Sequence, residues 1–129
     1  MNSTLTRILC VEDEPDIRAV ARLALESVGG FTVAVCSSGQ EAIDTLASFK
    51  PDLVLLDVMM PGMDGPSTLE ALRRLPAGGD VPVIFMTAKV QPKELEHYRQ
   101  LGAWDAIPKP FDPMTLSNAI RDTWNSHHA

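Results

Sequence analysis

Cysteine is scarce: the 129-residue chain has two, Cys10 and Cys36, each inside an apolar segment. Two isolated thiols make neither a disulfide framework nor a metal-ligand spacing, and they read as reduced core residues. Long apolar runs are missing too. None approaches the ~20 residues a membrane span needs, and residues 1–7 (Met-Asn-Ser-Thr-Leu-Thr-Arg) lack the apolar stretch of a signal peptide. The expectation is a cytoplasmic protein with no membrane partner. Positive charge is in deficit, with 11 Lys+Arg against 17 Asp+Glu and a net charge of −6. Such a surface repels phosphate backbones, which weighs against nucleic acid as a partner of this domain. Linkers, low-complexity tracts and internal repeats are also absent. What is present, 45% apolar and 22% charged residues, is the composition of one globular domain filling residues 1–129. A chain of this length buries roughly two thirds of its unfolded surface and needs no disulfide or metal staple.

Short apolar runs alternate with helical patterns along the whole chain. The runs are Ile8–Val11, Phe31–Cys36, Leu53–Leu56, Val81–Met86 and Ala106-Ile107. Phe31–Cys36 alternates weakly, but the runs are otherwise continuous rather than alternating, which predicts strands buried on both faces, as in a parallel sheet. After Pro15, apolar residues at Ile17, Val20, Ala21, Ala24 and Val28 repeat with the period of one buried helical face, and Gly29-Gly30 ends it. Ser38 with Glu41, and Ser67 with Glu70, read as capping boxes opening the next two helices. Pro92 opens a mostly polar fourth helix with Leu95, Tyr98 and Leu101 as its apolar anchors. Asp112-Pro113 reads as N-cap and first-turn proline of a fifth helix running to Asn125. Five strands and five helices in strict alternation predict a doubly wound (βα)5 fold with a five-stranded parallel sheet.

Ligands of such sheets bind beyond the carboxyl ends of the strands, where the strand order reverses. In the order 2-1-3-4-5 that point lies between strands one and three. It receives Glu12 and Asp13 from strand one and Asp57 from strand three, with Thr87 and Lys109 on the same rim. Two like charges 4 Å apart cost about 4 kcal/mol at an effective dielectric of 20, so converging carboxylates call for a counter-charge. Mg2+ suits a few carboxylates plus waters and phosphate oxygens. Asp57 is then a candidate nucleophile towards phosphorus, Glu12 and Asp13 are candidate metal ligands, and Lys109 and Thr87 can neutralise a phosphoryl group. Singly, each residue reads as a turn, cap or surface position; the case is their convergence on one sheet edge. Asp64, in the turn Pro61-Gly62-Met63-Asp64-Gly65, reads as structural.

The stretches Ile8-Leu9-Cys10-Val11-Glu12-Asp13-Glu14-Pro15, Leu55-Leu56-Asp57-Val58-Met59-Met60-Pro61-Gly62-Met63-Asp64-Gly65, Val83-Ile84-Phe85-Met86-Thr87-Ala88 and Lys109-Pro110-Phe111 resemble a response-regulator receiver domain of two-component signalling. The resemblance covers essentially the whole chain and implies a flavodoxin-like fold. It implies that Asp57 accepts a phosphoryl group from a sensor histidine kinase or histidine phosphotransfer protein. It also implies that Glu12, Asp13, Asp57 and the Met59 backbone carbonyl hold Mg2+, that Thr87 moves to bond the phosphoryl group, and that Lys109 pairs with it. A cis Lys109–Pro110 bond is implied as well; X-Pro bonds tolerate cis at ~0.5–1 kcal/mol. Met59 and Lys89 occupy positions that border the phosphoryl group in this family. Many receivers carry Tyr or Phe three residues before the lysine as an inward-turning switch; here that position is Ala106, so transmission must use another group. Trp104, on the face such domains use for output, reads either as a local cover or as a partner anchor. With no effector segment in 129 residues, the expectation is a stand-alone receiver that is not an enzyme and signals to a downstream protein. His127 and His128 read as a frayed tail.

Three rival readings bear on the same residues. A Mg2+-dependent phosphatase with an aspartyl-phosphate intermediate needs a proton-donating residue two places after the nucleophile, where this chain has Met59. A phosphorylation-independent binding module would have no need of the five site residues. A flavodoxin-like mononucleotide binder is less compatible, because the loop Glu12-Asp13-Glu14-Pro15 repels phosphate.

Overall fold

The computed structural model describes residues 4–128. Parallel strands β1 (Arg7–Val11), β2 (Thr32–Cys36), β3 (Leu53–Asp57), β4 (Val83–Thr87) and β5 (Asp105–Pro108) lie in the order β2-β1-β3-β4-β5. They alternate with helices α1 (Pro15–Leu23), α2 (Gly39–Phe49), α3 (Gly65–Arg73), α4 (Pro92–Gln100) and α5 (Leu116–His127). This is the doubly wound architecture that the alternating pattern predicts. Every residue of β3 and β4 is buried, which accounts for their unbroken apolar sequences.

The pleat divides the side chains between two cores. Ile8, Cys10, Leu55, Ile84 and Met86 meet Ala21 of α1 and Ile120 and Trp124 of α5. Leu9, Val11, Leu56 and Phe85 meet Leu46 of α2, Leu69 and Leu72 of α3 and Tyr98 of α4. Both cysteines are free and buried, and burial, with the nearby Glu12 charge second, pushes the Cys10 thiol up to about 12. No helix among the described residues is long and apolar enough to cross a membrane.

Several boundaries differ from the sequence expectation, each for a local reason. The first helix does not keep one buried stripe to its end. Residues Ala24–Val28 widen into a π-helical stretch, with the Gly29 N–H donating to the Ala24 carbonyl at 3.1 Å. A wider turn rotates less per residue, so Val28 falls short of the core and is 45% exposed, while Leu25 is fully buried. Val20 is exposed as well. The third helix is capped by Asp64, whose Oδ1 accepts the Ser67 N–H at 2.8 Å, so Ser67 lies inside the helix and is not its cap. Ser38 does cap α2, but the Glu41 carboxylate reaches back to the Ser37 N–H, one residue early. Asp112 closes a turn, accepting the Met114 N–H on its side chain, and α5 proper begins only at Leu116. Leu101 is exposed, leaving Tyr98 as the buried anchor of α4.

Candidate functional site

The carboxyl edge of the sheet gathers side chains from four strand ends. Glu12 follows β1; its N–H extends the ladder to the Cys36 carbonyl at 3.0 Å, and its side chain is fully buried. Arg18, one turn into α1, donates from Nη1 to the Glu12 and Asp13 carbonyls at 2.9 and 3.3 Å and so fixes the acidic loop. Asp57 is the last residue of β3 and is buried. Behind it, the Gly65 N–H donates to the Val58 carbonyl at 2.9 Å. A Cβ at Gly65 would lie 2.6 Å from the Asp57 carbonyl oxygen and 2.8 Å from the Val58 Cα. Only glycine lets α3 start this close to the Asp57 main chain.

Lys109 enters from beyond β5, its N–H bonded to the Thr87 carbonyl at 2.9 Å and its bond to Pro110 cis, as the resemblance implies. Its Nζ lies 2.9 Å from Glu12 Oε1 and 3.2 Å from Asp57 Oδ1. Glu12, Asp13 and Asp57 each offer an oxygen within 4.8 Å of the others. Burial first, then the Glu12 charge, pushes the Asp57 carboxyl up to about 7, against the pull of Lys109. Burial works to lower the Lys109 ammonium, but its hydrogen bond to Glu12 and the negative charges around it hold it above its ordinary value.

One ammonium therefore faces three carboxylates, and it does not satisfy them all. Asp13 Oδ1 is buried and has no hydrogen-bond partner. A buried anionic oxygen without a donor is costly. A hard divalent cation that takes oxygen ligands is the partner this donor set fits.

Thr87 stands at the end of β4, buried, in the strand beside Asp57. Its Oγ1 accepts the Lys89 N–H at 3.1 Å and lies 3.5 Å from the Tyr98 hydroxyl. Met59, two residues past Asp57, is 76% exposed, and its thioether side chain is no ligand for a hard cation, which leaves its backbone carbonyl as the group it can offer. Ala106 is half-buried and packs against the core that contains Tyr98. Trp104 lies outside the carboxylate cluster. It stacks on the His127 ring at 3.9 Å and sits 5.8 Å from the Trp124 ring, which is the cover arrangement. His128 stacks on Trp124 at 4.2 Å, so both histidines pack against indoles where the sequence suggests a frayed tail.

Three contributors carry little signal in the sequence. Gly65 looks like an ordinary turn glycine, and Arg18 like a helix-surface cation. Tyr98 reads as an apolar anchor, although a buried phenol needs a partner for its hydroxyl, and that need is the available clue.

The sequence matches the response regulator receiver domain across residues 8–121. It is 36% identical over 121 residues to the "DNA-binding response regulator MtrA" of Mycolicibacterium smegmatis, covering 94% of this chain and 51% of that protein. It is 42% identical over 106 residues to the "Response regulator MprA" of Mycolicibacterium vanbaalenii, covering 81% of this chain and 44% of the other. The chain thus spans about half the length of these curated relatives. Among solved structures, Vibrio cholerae chemotaxis protein CheY4 superposes with a TM-score of 0.84 at 26% identity, over 93% of this chain and 99% of that one. The N-terminal domain of a response regulator receiver protein from Methanoculleus marisnigri superposes with a TM-score of 0.73 at 39% identity, over 92% and 96%.

Proposed function

The chain belongs to the response regulator receiver family, and from that premise we propose that Asp57 is its phosphoacceptor. The donor in this reading is the phosphohistidine of a sensor histidine kinase or a histidine phosphotransfer protein, met in the cytoplasm. The observation that carries the reading is the Asp57 carboxylate at the end of β3, 3.2 Å from the Lys109 ammonium and within 4.8 Å of the Glu12 and Asp13 oxygens.

A carboxylate oxygen of Asp57 attacks phosphorus, the phosphorus–nitrogen bond breaks, and the donor imidazole leaves with the bonding pair. Only the ionised carboxylate attacks, and Lys109 favours that form against burial and Glu12. Lys109 then pairs with the phosphoryl oxygens, and the Thr87 hydroxyl donates a hydrogen bond to one of them. Glu12, Asp13, Asp57 and the Met59 carbonyl would hold Mg2+, which neutralises charge on the phosphoryl group. Met59 supplies no general acid or base beside the acceptor, which supports a protein that stores the phosphoryl group as a signal over a turnover phosphatase.

A shallow apolar cleft of about 400 Å3, lined by Ile17, Val20, Lys109, Pro110 and Phe111, opens beside the acceptor. It gives a donor protein a place to dock, and it explains the exposure of Val20. Output is by protein–protein contact on the face of α4, β5 and α5. The DNA binding in the name of MtrA belongs to that longer protein; the acidic charge of this chain argues for protein partners here.

Incubation with acetyl phosphate and Mg2+, followed by intact-mass analysis, tests the reading. One phosphoryl adduct is expected, absent in Asp57→Asn and absent in EDTA. An adduct that forms equally in either control overturns it.

A further inference from the structure

The Thr87 hydroxyl is already engaged in the unphosphorylated protein, and its partner is on α4. Tyr98 is buried, its ring edge-on to Phe85 at 5.3 Å. Its hydroxyl donates to the Lys89 carbonyl at 3.2 Å and lies 3.5 Å from Thr87 Oγ1. Each hydroxyl has a single proton and can accept as well as donate. With the phenol proton given to Lys89, Thr87 is the donor across the Thr87–Tyr98 pair. The same Thr87 proton cannot also go to a phosphoryl oxygen on Asp57. The two acceptors compete for one donor.

The fold gives Tyr98 the room to stand there. Phe85 and Ala106 are register partners on β4 and β5, and both belong to the core under α4. Ala106 adds only a methyl group to that face, at the position where many receivers carry an aromatic ring. Here the aromatic hydroxyl that reaches Thr87 comes from the helix instead of the strand. Its attachments run outward. The Lys89 carbonyl ties Tyr98 to the loop before α4, and the Tyr98 carbonyl accepts the Ala103 N–H at 3.1 Å, one residue before Trp104.

We propose that Tyr98 is the positioning residue that reads phosphorylation out of the site: the Thr87 hydroxyl bonds Tyr98 in the unphosphorylated protein and the phosphoryl group in the phosphorylated one, and the released phenol lets α4 and the Lys89 loop shift. This rests on the phosphoacceptor reading of Asp57 and adds the group that carries the signal away from it.

Tyr98 is the only tyrosine in the chain, so one 13C label at the phenol Cζ reports on this hydroxyl alone. The probe is beryllofluoride with Mg2+, a stable phosphoryl mimic, added to the full chain while backbone amides are followed in parallel. The Cζ resonance is expected to move together with the Asp57 and Thr87 amides. In Tyr98→Phe, which keeps the ring, the Asp57 and Thr87 amides are expected to respond as before, while the α4 amides lose most of their response. A stationary Cζ resonance beside responding Asp57 and Thr87 amides overturns the Tyr98 route and leaves the acceptor reading intact. An undiminished α4 response in Tyr98→Phe overturns it equally. Silence at Asp57 itself places the failure at the acceptor reading on which the route depends.

Discussion

Asp57 is held between opposing influences: burial and Glu12 favour its neutral form, while Lys109 favours its charge. Its native value of about 7, against an ordinary 3.8, makes a stability statement. The native state keeps a proton that the unfolded chain gives up. This contribution is therefore fully present below pH 3.8 and is lost as pH rises through about 7. Urea unfolding in EDTA at a series of pH values is expected to show this loss, and Asp57→Asn to flatten it. The same loss in Asp57→Asn would assign it to another group. Asp13 belongs to the same balance. Its Oδ1 is a buried acceptor without a donor, and such a group costs about 1–3 kcal/mol. Asp13→Ala is expected to leave the metal-free protein as stable as the parent or more so, and to abolish stabilisation by Mg2+ in thermal melts. The positions of these residues were legible because acidic residues directly end apolar runs. Their partners were not: Arg18 reaches the loop carbonyls from another element, and that contact exists only in the fold.

At the scale of elements, the strands were legible because β3 and β4 are buried on both faces and their sequences are uninterrupted apolar runs. The end of the first helix was not, because a π-helical stretch breaks the period that an apolar stripe assumes. Caps were legible only to within a few residues: Asp64 and Ser67 both stand at the start of α3, and the hydrogen bond from the Ser67 N–H to Asp64 alone decides which one caps. The junction of β3 with α3 yields a prediction. Gly65→Ala places a Cβ 2.6 Å from the Asp57 carbonyl oxygen, and such overpacking costs roughly 1–3 kcal/mol. Chemical denaturation is expected to show that loss, and the shifted Asp57 main chain to slow phosphorylation by acetyl phosphate. Unchanged stability would mean that α3 moves aside freely. The segment after α4 yields another. Trp104 follows Ala103, whose N–H donates to the Tyr98 carbonyl, and it packs on the same core as Trp124, which α5 carries. Phosphorylation is therefore expected to change Trp104 fluorescence more than Trp124 fluorescence, compared in Trp124→Phe and Trp104→Phe variants. The reverse order would contradict transmission along α4.

At the scale of the molecule, the sheet order does the assembling. With β1 beside β3 and β4 beside β5, residues 12, 57 and 109, far apart in the chain, meet within hydrogen-bonding distance of one ammonium. The doubly wound class was legible from the alternation of elements and the right-handed crossover rule, which leave the strand order itself open; with the order 2-1-3-4-5 taken as given, so was the edge where the chemistry lies. What α4 contributes was not, since Tyr98 declares its role only through where its hydroxyl falls. A cation that binds the native cluster and not the unfolded chain stabilises the whole domain, by about 2.7 kcal/mol at 100 times its Kd. A melting temperature indifferent to millimolar Mg2+ would contradict that. The central claim is narrower: of three clustered carboxylates, Asp57 alone takes the phosphoryl group. Borohydride reduces an acyl phosphate to an alcohol and leaves free carboxylates intact, so reduction after phosphorylation, followed by peptide sequencing, marks the acceptor directly. The account predicts the reduced side chain at position 57 and nowhere else, and only when Mg2+ was present; a reduced side chain at position 12 or 13, with Asp57 unmodified, would contradict it.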